Sequence, residues 1–306
     1  MGFQLEDAAR TAVIIPCLNE QASIARVVSD FRIQLPSAEI VVVDNGSDDE
    51  TISEALAAGA KVITQTMRGK GNAVRKAFAV VDADVYLMVD GDGTYDAASA
   101  SEMVSMVQNG VADLVVASRT YSLESIPQRT GHMVGNRLFT WIVRKLFSID
   151  IDDVLSGYRA MSRRFIKSLP LMSRGFELEV ELSAHASLLR VEVAKVESSY
   201  FNRELTSNSK LRTIRDGLRI ALAVFRIFRS FAPARFFGTL SALSFLAAIV
   251  FQTSSFSQTS TIESTSIALV VICVVFFTIG VVLNSQSRIQ RQIIRLAYIS
   301  GTSATQ

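Results

Sequence analysis

The sequence predicts an α/β protein: a mostly parallel sheet covered by helices on both faces. Three observations carry that prediction. Short apolar runs alternate with helical patterns through residues 11–120, and βαβ alternation of this kind builds parallel sheets, since every crossover brings a helix with it. The run before Asp90, Val85–Val89, is continuously apolar, as a strand buried on both faces requires. Several runs also stop on polar, turn-forming clusters that sit where strand ends are expected.

Taken in order, Ala12–Ile15 is a strand stopped by Pro16, and Ser23–Leu35 is an amphipathic helix. Ile40–Val43 is a second strand ending at Asp44, Asp49–Gly59 is helical, and Val62–Thr64 is a short strand. Asn72–Val81 is a helix, Val85–Val89 a strand, Ala98–Gln108 a helix and Leu114–Ala117 another strand. Parallel sheets bind ligands at the carboxyl ends of their strands. Three polar clusters fall there: Pro16-Cys17-Leu18-Asn19-Glu20, Asp44-Asn45-Gly46-Ser47-Asp48 and Asp90-Gly91-Asp92.

The last cluster is the most informative. Two carboxylates at alternate positions on a strand lip can turn toward one hard cation, and oxygen ligands suit Mg²⁺ or Mn²⁺ bound to a diphosphate. An ordinary Asp-Gly turn is the plainer alternative. Arg68-Gly69-Lys70-Gly71-Asn72 opens a helix with glycines and cations. It reads equally as a phosphate-binding helix start and as a flexible turn. Further on come Asp152-Asp153, Leu155-Ser156-Gly157-Tyr158-Arg159 and the acidic run Glu177, Glu179 and Glu181. The run is read as the solvated face of a helix, most firmly for Glu179 and Glu181. His132, His185 and Cys17 have no ligand-like company in sequence and read as structural.

The chain has 306 residues, 49% of them apolar, with a mean hydropathy of +0.31. The excess is C-terminal: Phe236–Ile262 and Ser264–Ser287 carry no charge. Each run is long enough to cross a bilayer, and a pair of buried core helices is the weaker reading. Lys210, Arg212, Arg215, Arg219, Arg226, Arg229 and Arg235 precede the first run, and Arg288, Arg291 and Arg295 follow the second. The positive-inside rule then places both termini in the cytoplasm. Arg212–Arg229 interleaves these cations with apolar residues, as an interfacial helix does, or as a helix packed on the soluble part does. Residues 1–10 are polar and offer no signal peptide. A net charge of +2 does not call for nucleic acid.

The series Val13–Glu20, Val41–Asp49, Gly69-Lys70-Gly71-Asn72-Ala73 and Val89-Asp90-Gly91-Asp92 resembles family 2 glycosyltransferases of the GT-A fold in order and spacing. Ser118-Arg119, Gly135-Asn136-Arg137, Asp153–Arg159 and Gly175–Glu179 make it similar to the branch that glycosylates polyprenyl phosphates, as dolichyl-phosphate mannose and glucose synthases do. The expected organisation is a tail over 1–10 and a GT-A (Rossmann-like) nucleotide-sugar-binding domain over 11–208. An amphipathic helix over 209–232, a transmembrane hairpin over 233–287 (spans near 235–254 and 265–285) and a cytoplasmic tail over 288–306 follow.

The resemblance implies an inverting transfer of one hexose from a nucleotide diphosphate sugar to an undecaprenyl or dolichyl phosphate. Pro16, Asn19, Glu20 and Asp44 would hold the nucleotide, with Lys70 near the donor. Asp90 and Asp92 would bind the diphosphate through Mg²⁺ or Mn²⁺, with Gly91 between them. Arg119 and Arg137 would take the acceptor phosphate, Asp153 would be the acceptor-side carboxylate, and Arg203 and Lys210 would close over the donor phosphates. Many relatives have glutamine where this chain has Thr94, which leaves a third protein ligand open. The Gln-x-x-Arg-Trp motif of processive synthases is absent, so single transfer is favoured. A UDP-sugar is preferred as donor over GDP-mannose, the expected location is the cell membrane, and a homo-oligomer is allowed. The alternatives are a glycan or protein acceptor, or an inactive membrane-anchored partner of a glycan export system.

Overall fold

A computed structural model of the chain describes residues 9–121, 130–175, 177–201, 222, 224–226, 228–253 and 260–303. It divides into two compact units, one of residues 1–220 with 295–306, the other of residues 221–294.

The first unit is a seven-stranded sheet with helices. Its strands are β1 (Thr11–Cys17), β2 (Glu39–Asp44), β3 (Lys61–Thr64), β4 (Val85–Met88), β5 (Leu114–Tyr121), β6 (Arg159–Ser162) and β7 (Val193–Tyr200), in the order β3-β2-β1-β4-β6-β5-β7. Helices α1 (Ile24–Gln34), α2 (Thr51–Ala57), α3 (Lys70–Val80), α4 (Ala100–Gln108), α5 (Thr130–Phe147), α6 (Arg163–Ser168) and α7 (Leu178–Leu189) connect them. α1 shows why the chain folds this way. Ile24, Val27, Val28 and Phe31 are buried, which is one helical stripe at i, i+3, i+4 and i+7. That stripe packs with Val13, Ile15, Leu87 and Met103 in a single core.

Every strand expected over residues 12–117 is present. β1 continues through Pro16, which sits opposite Val43 of β2. The ladder with β4 stops at Ile14 opposite Met88, so the missing proline N–H breaks no bond on that side.

β6 runs antiparallel to both neighbours, with Met88 opposite Arg159 and Val116 opposite Arg159. This single reversed strand was not expected, because Arg159-Ala160-Met161-Ser162 has no apolar run to mark it. β7 is parallel to β5 over its whole length, and its exposed and buried positions largely alternate, as on a half-covered edge.

The second unit holds α8 (Pro233–Thr253) and most of α9 (Ser260–Ser303). Within it, Ser241 Oγ donates to the Cys273 carbonyl at 3.0 Å and Ser287 Oγ donates to the Ser230 carbonyl at 3.2 Å. Phe237 meets Phe276 and crosses Gly280, where a Cβ would come within 3.0 Å of its own Cβ. The two helices are therefore antiparallel. Both are long and apolar enough to cross a membrane, with 18-residue stretches of mean hydropathy 1.7 within Pro233–Thr253 and 3.0 within Ser264–Gly301. Leu243, Phe245, Leu246, Val271 and Phe277 stand exposed, and exposed apolar residues in such numbers mark interaction surfaces for lipid or protein. α9 does not stop where the expected span ends: it runs unbroken to Ser303.

The last turns of α9 belong to the first unit. Tyr298 Oη donates to Asp113 Oδ2 at 2.5 Å, Arg164 lies over the Tyr298 ring at 5.1 Å, and Arg295 donates to the Leu189 carbonyl at 3.3 Å.

Candidate functional site

The first wall of the site is the exit of β1 and β2. Asp44 ends β2 at 1% exposure and accepts from the Gly46 and Ser47 backbone N–H groups at 3.0 and 3.2 Å. Asn19 adopts a left-handed backbone (φ 52°), and its side-chain oxygen accepts from Asp48 N at 2.8 Å. Glu20 is buried, and its N–H donates to Thr51 Oγ1 at 2.8 Å. Pro16 stands one residue before the end of β1. These four lie together at the carboxyl edge of two adjacent strands, as the sequence suggested.

Asn45 was expected only as one member of the strand-end cluster, with no role of its own. Its amide donates to the Gln65 and Met67 carbonyls, and its oxygen accepts from Gly69 N at 2.5 Å. It thus ties the exit of β2 to the connection carrying Lys70. A buried asparagine beside an aspartate leaves no period in sequence, so no signal would have singled it out.

The second wall is the exit of β4 against the start of β6. Because β6 is antiparallel, residues just after β4 face residues just before β6. Asp90 therefore lies against Gly157: a Cβ on Gly157 would come within 2.5 Å of Asp90 Oδ2 and 2.9 Å of Lys70 Nζ. Gly91 is equally tight, with Cys17 Sγ 2.4 Å from where its Cβ would be. Ser23 Oγ donates to the Gly91 carbonyl at 2.7 Å, pinning the lip from α1. Asp92 Oδ1 accepts from Thr94 N and Thr94 Oγ1 at 3.2 and 2.7 Å. Thr94, 2% exposed, orients this carboxylate.

Lys70 opens α3 and spans the two walls. Its Nζ is 2.5 Å from Asp90 Oδ1 and 2.5 Å from Glu179 Oε1. Burial opposes the ammonium charge, but the two carboxylates outweigh it and raise the Lys70 pKa above its ordinary value. Burial raises the Glu179 pKa, with Lys70 opposing that shift. The expectation that Glu179 and Glu181 form a solvated helix face is thus overturned. They are 2% and 6% exposed, and Glu181 accepts from the backbone N–H groups of Met172 and Ser173 at 2.9 Å each. Polar residues at helical spacing look alike whether they face water or an internal cation.

On the other side, Arg119 at the end of β5 makes a two-pronged bond to Asp153, at 2.5 and 2.8 Å. The pair is nearly buried, and the Tyr200 ring lies under Arg119 at 5.3 Å. Burial works against the Arg119 cation, and Tyr95, Asp153 and Tyr200 overcome it and raise its pKa. Tyr95 Oη accepts from Gly157 N at 2.9 Å, linking this half to the Asp90 half. Arg159 is wholly buried and donates to the Val154 and Ser156 carbonyls and to Ser183 Oγ. It shapes the 153–157 segment from beneath, and burial lowers its pKa to about 10.

Arg137 lies on α5 and is exposed. Arg203 and Lys210, like most of the expected interfacial helix, lie outside the described residues. His185 is buried in α7. Its Nε2 is 4.0 Å from Glu181, too far for a hydrogen bond to a carboxylate already taken up by two amides. Burial therefore prevails and lowers the imidazole pKa to about 4, which agrees with a structural role.

The arrangement suits a metal-bound diphosphate. Asp90, Glu179 and Asp92 against Lys70 leave two formal negative charges at the lip, and a divalent cation matches that excess. Among the described residues no three acidic, histidine or cysteine side chains converge as ligands. The protein would therefore supply one or two carboxylates and leave the rest of the shell to phosphate and water, as Mg²⁺ sites on nucleotides do.

Comparison with known proteins bears on the family and the fold. Residues 12–169 match the model of glycosyl transferase family 2. The chain is 34% identical over 233 residues to glycosyltransferase AglJ of Haloferax volcanii, covering 76% of each chain. It is 29% identical to a dolichyl-phosphate hexose transferase of the same organism, over 71% of this chain and 92% of that one. Among solved structures, glucosyl-3-phosphoglycerate synthase from Mycobacterium tuberculosis, in complex with Mn²⁺, UDP-glucose and glycerol 3-phosphate, superposes with a TM-score of 0.57. It is 22% identical and covers 72% of this chain and 80% of that one.

Proposed function

Since the chain belongs to glycosyl transferase family 2 and has the GT-A fold, we propose that it moves one hexose from a nucleotide diphosphate sugar to a polyprenyl phosphate at the cytoplasmic membrane face. The observation that carries this reading is the pairing of an acidic lip with a buried arginine across Gly157. Asp90 and Asp92 sit on one side and Arg119 with Asp153 on the other. An anionic donor on a metal and an anionic acceptor on a guanidinium are the two partners such a site suits.

Asp44, Asn19 and Glu20 line the nucleotide side. Asp92, oriented by Thr94, and Asp90 hold Mg²⁺ or Mn²⁺. The cation, when bound, neutralises the departing diphosphate and so stabilises the leaving group. Arg119, held by Asp153, offers its planar guanidinium to the acceptor phosphate. A phosphate with a second pKa near about 6 is largely ionised at neutral pH. Asp153 therefore orients the acceptor and balances charge rather than taking a proton. Arg137 supplies a second cation on the acceptor side, and Arg203 and Lys210 close over the donor. The relative named as a dolichyl-phosphate hexose transferase and the apolar surface of α8 and α9 support a lipid acceptor. In this reading residues 11–208 are the catalytic domain, 209–232 the interfacial helix and 233–287 the membrane hairpin.

The test is direct. Membranes containing the full chain are incubated with radiolabelled UDP-glucose, UDP-N-acetylglucosamine or GDP-mannose and undecaprenyl phosphate, and the lipid is extracted. Label in the lipid fraction that depends on both lipid phosphate and Mg²⁺ or Mn²⁺ is expected. Transfer to water-soluble acceptors alone would overturn the acceptor assignment.

A further inference from the structure

We propose that Glu179 is a positioning residue of the donor site: through Lys70 it sets how readily Asp90 is given to a metal–diphosphate. This rests on reading the Asp90 lip as the donor site.

Three observations lead there. Lys70 Nζ is equidistant, at 2.5 Å, from Asp90 and Glu179, and the side chains of Lys70 and Glu179 are only 9% and 3% exposed. Asp90, at 29%, is the member of the three that reaches solvent. The ammonium is thus divided between an inner carboxylate that cannot leave and an outer one that can. Glu179 Oε2 is buried without a hydrogen-bond partner, so the whole acceptor capacity that this carboxylate uses is directed at Lys70. A buried carboxylate is costly unless its charge has a task, and Lys70 is the cation placed to use it.

The backbone around Lys70 is fixed from the same helix. Glu181, two residues on in α7, holds the Met172 and Ser173 amides. The Ser173 and Arg174 carbonyls in turn press on Gly71 and Gly69, where a Cβ would stand 2.3 and 2.1 Å from them. α7 therefore clamps the residues on both sides of Lys70 through Glu181 and holds its charge through Glu179. Both acids are buried and spend their contacts on Lys70 and the 172–173 backbone, so both act at one remove.

The consequence is a division of charge. With Glu179 present, Lys70 is already compensated and Asp90 is shared loosely. With Glu179 neutral, Lys70 has Asp90 as its one counter-charge among these residues. The pair tightens, the metal loses a ligand, and the less compensated ammonium draws a bare diphosphate more strongly. Metal affinity and metal-free nucleotide affinity should thus move in opposite directions, which a general loss of structure cannot produce.

The experiment uses the purified full chain in detergent. Mn²⁺ binding in the presence of UDP is followed by the spin signal of free Mn²⁺, and UDP binding in EDTA is followed by calorimetry, with GDP in parallel. For Glu179→Gln the Mn²⁺ dissociation constant is expected to rise about tenfold and the metal-free nucleotide constant to fall about threefold, as loss of one charge contact at this depth implies. Glu179→Asp, which keeps the charge but withdraws it by one methylene, should show the same signs with smaller size if the glutamine variant does not fold. In a Lys70→Met background, Glu179→Gln should move neither constant beyond about twofold, because the effect passes through the ammonium. Constants that weaken together, that do not change, or that shift equally without Lys70 would overturn the proposal. A wild-type chain that binds neither Mn²⁺–UDP nor Mn²⁺–GDP would instead refute the donor-site reading beneath it.

Discussion

Gly157→Ala is the substitution that the geometry constrains most tightly. The added Cβ would stand 2.5 Å from Asp90 Oδ2, where ordinary contact begins at 3.4 Å, so the carboxylate must retreat by about 0.9 Å. It cannot do so alone, because Lys70 Nζ, 2.9 Å from the same Cβ, is tied to it. Crowding of this kind costs about 1–3 kcal/mol of stability, which the folded domain should survive. Catalysis is less forgiving: a misplacement of about 1 Å costs on the order of a hundredfold in rate, or roughly 2.7 kcal/mol of barrier. The assay is steady-state transfer to lipid phosphate over a range of Mn²⁺ concentrations, with thermal unfolding measured on the same preparation. The matched control is Gly238→Ala on α8, where a Cβ would meet nothing within 4 Å; it should leave transfer unchanged. A Gly157→Ala enzyme with wild-type turnover and wild-type Mn²⁺ dependence would refute the claim that this glycine sets the separation of the Asp90 lip from the Arg119–Asp153 pair.

Asp92→Ala should abolish transfer while leaving membrane insertion intact, and recovery of full activity with excess Mn²⁺ would count against a ligand role. Arg137→Ala should raise the KM for lipid phosphate more than that for nucleotide sugar; an unchanged lipid KM would remove it from the acceptor site. His185 is held neutral, with its pKa lowered from 6.5 to about 4. The unfolded chain therefore takes up its proton first as pH falls. The stability tied to it is complete above about pH 6.5 and is lost toward pH 4, about 3 kcal/mol in all. Unfolding titrations of His185→Leu between pH 7 and 4 should show a shallower slope than wild type, and an identical slope would exclude this residue as the cause. Tyr298→Phe deletes a bond to the Asp113 carboxylate and should cost about 1–2 kcal/mol. An unaltered melting temperature of the catalytic unit would show that the end of α9 does not hold to it.

Much of the half proposed for the donor was legible in the sequence because strand ends announce themselves. Asp44, Asn19, Glu20 and Asp90 each follow an apolar run or the turn that closes one, and the structure gathers them along one sheet edge. The half around Arg119 and Asp153, proposed here for the acceptor, was legible only through resemblance. Arg159 and the short strand it begins have no periodic signature, since a buried guanidinium satisfied by backbone carbonyls looks in sequence like any surface arginine. Glu179 was misread for the same reason: a helix carrying three acids in five positions resembles a wet face unless the lysine that answers it, 109 residues earlier, is seen beside it. The continuation of α9 to Ser303 was hidden by its composition, where charge returns after the apolar run without any helix-stopping residue.

The reversed strand β6 has a mechanical meaning. Met88 and Arg159 are partners on one ladder, so Asp90 and Gly157 each lie two residues beyond the same pair of hydrogen-bonded strands. Enzymes that hold their two substrates on separate lobes bring them together by closing; in the proposed reading, donor and acceptor instead meet at the edge of one continuous sheet, where strand register sets the spacing of Asp90 from Gly157. Variation in what is transferred, and to what, must therefore come from the segments laid over this frame.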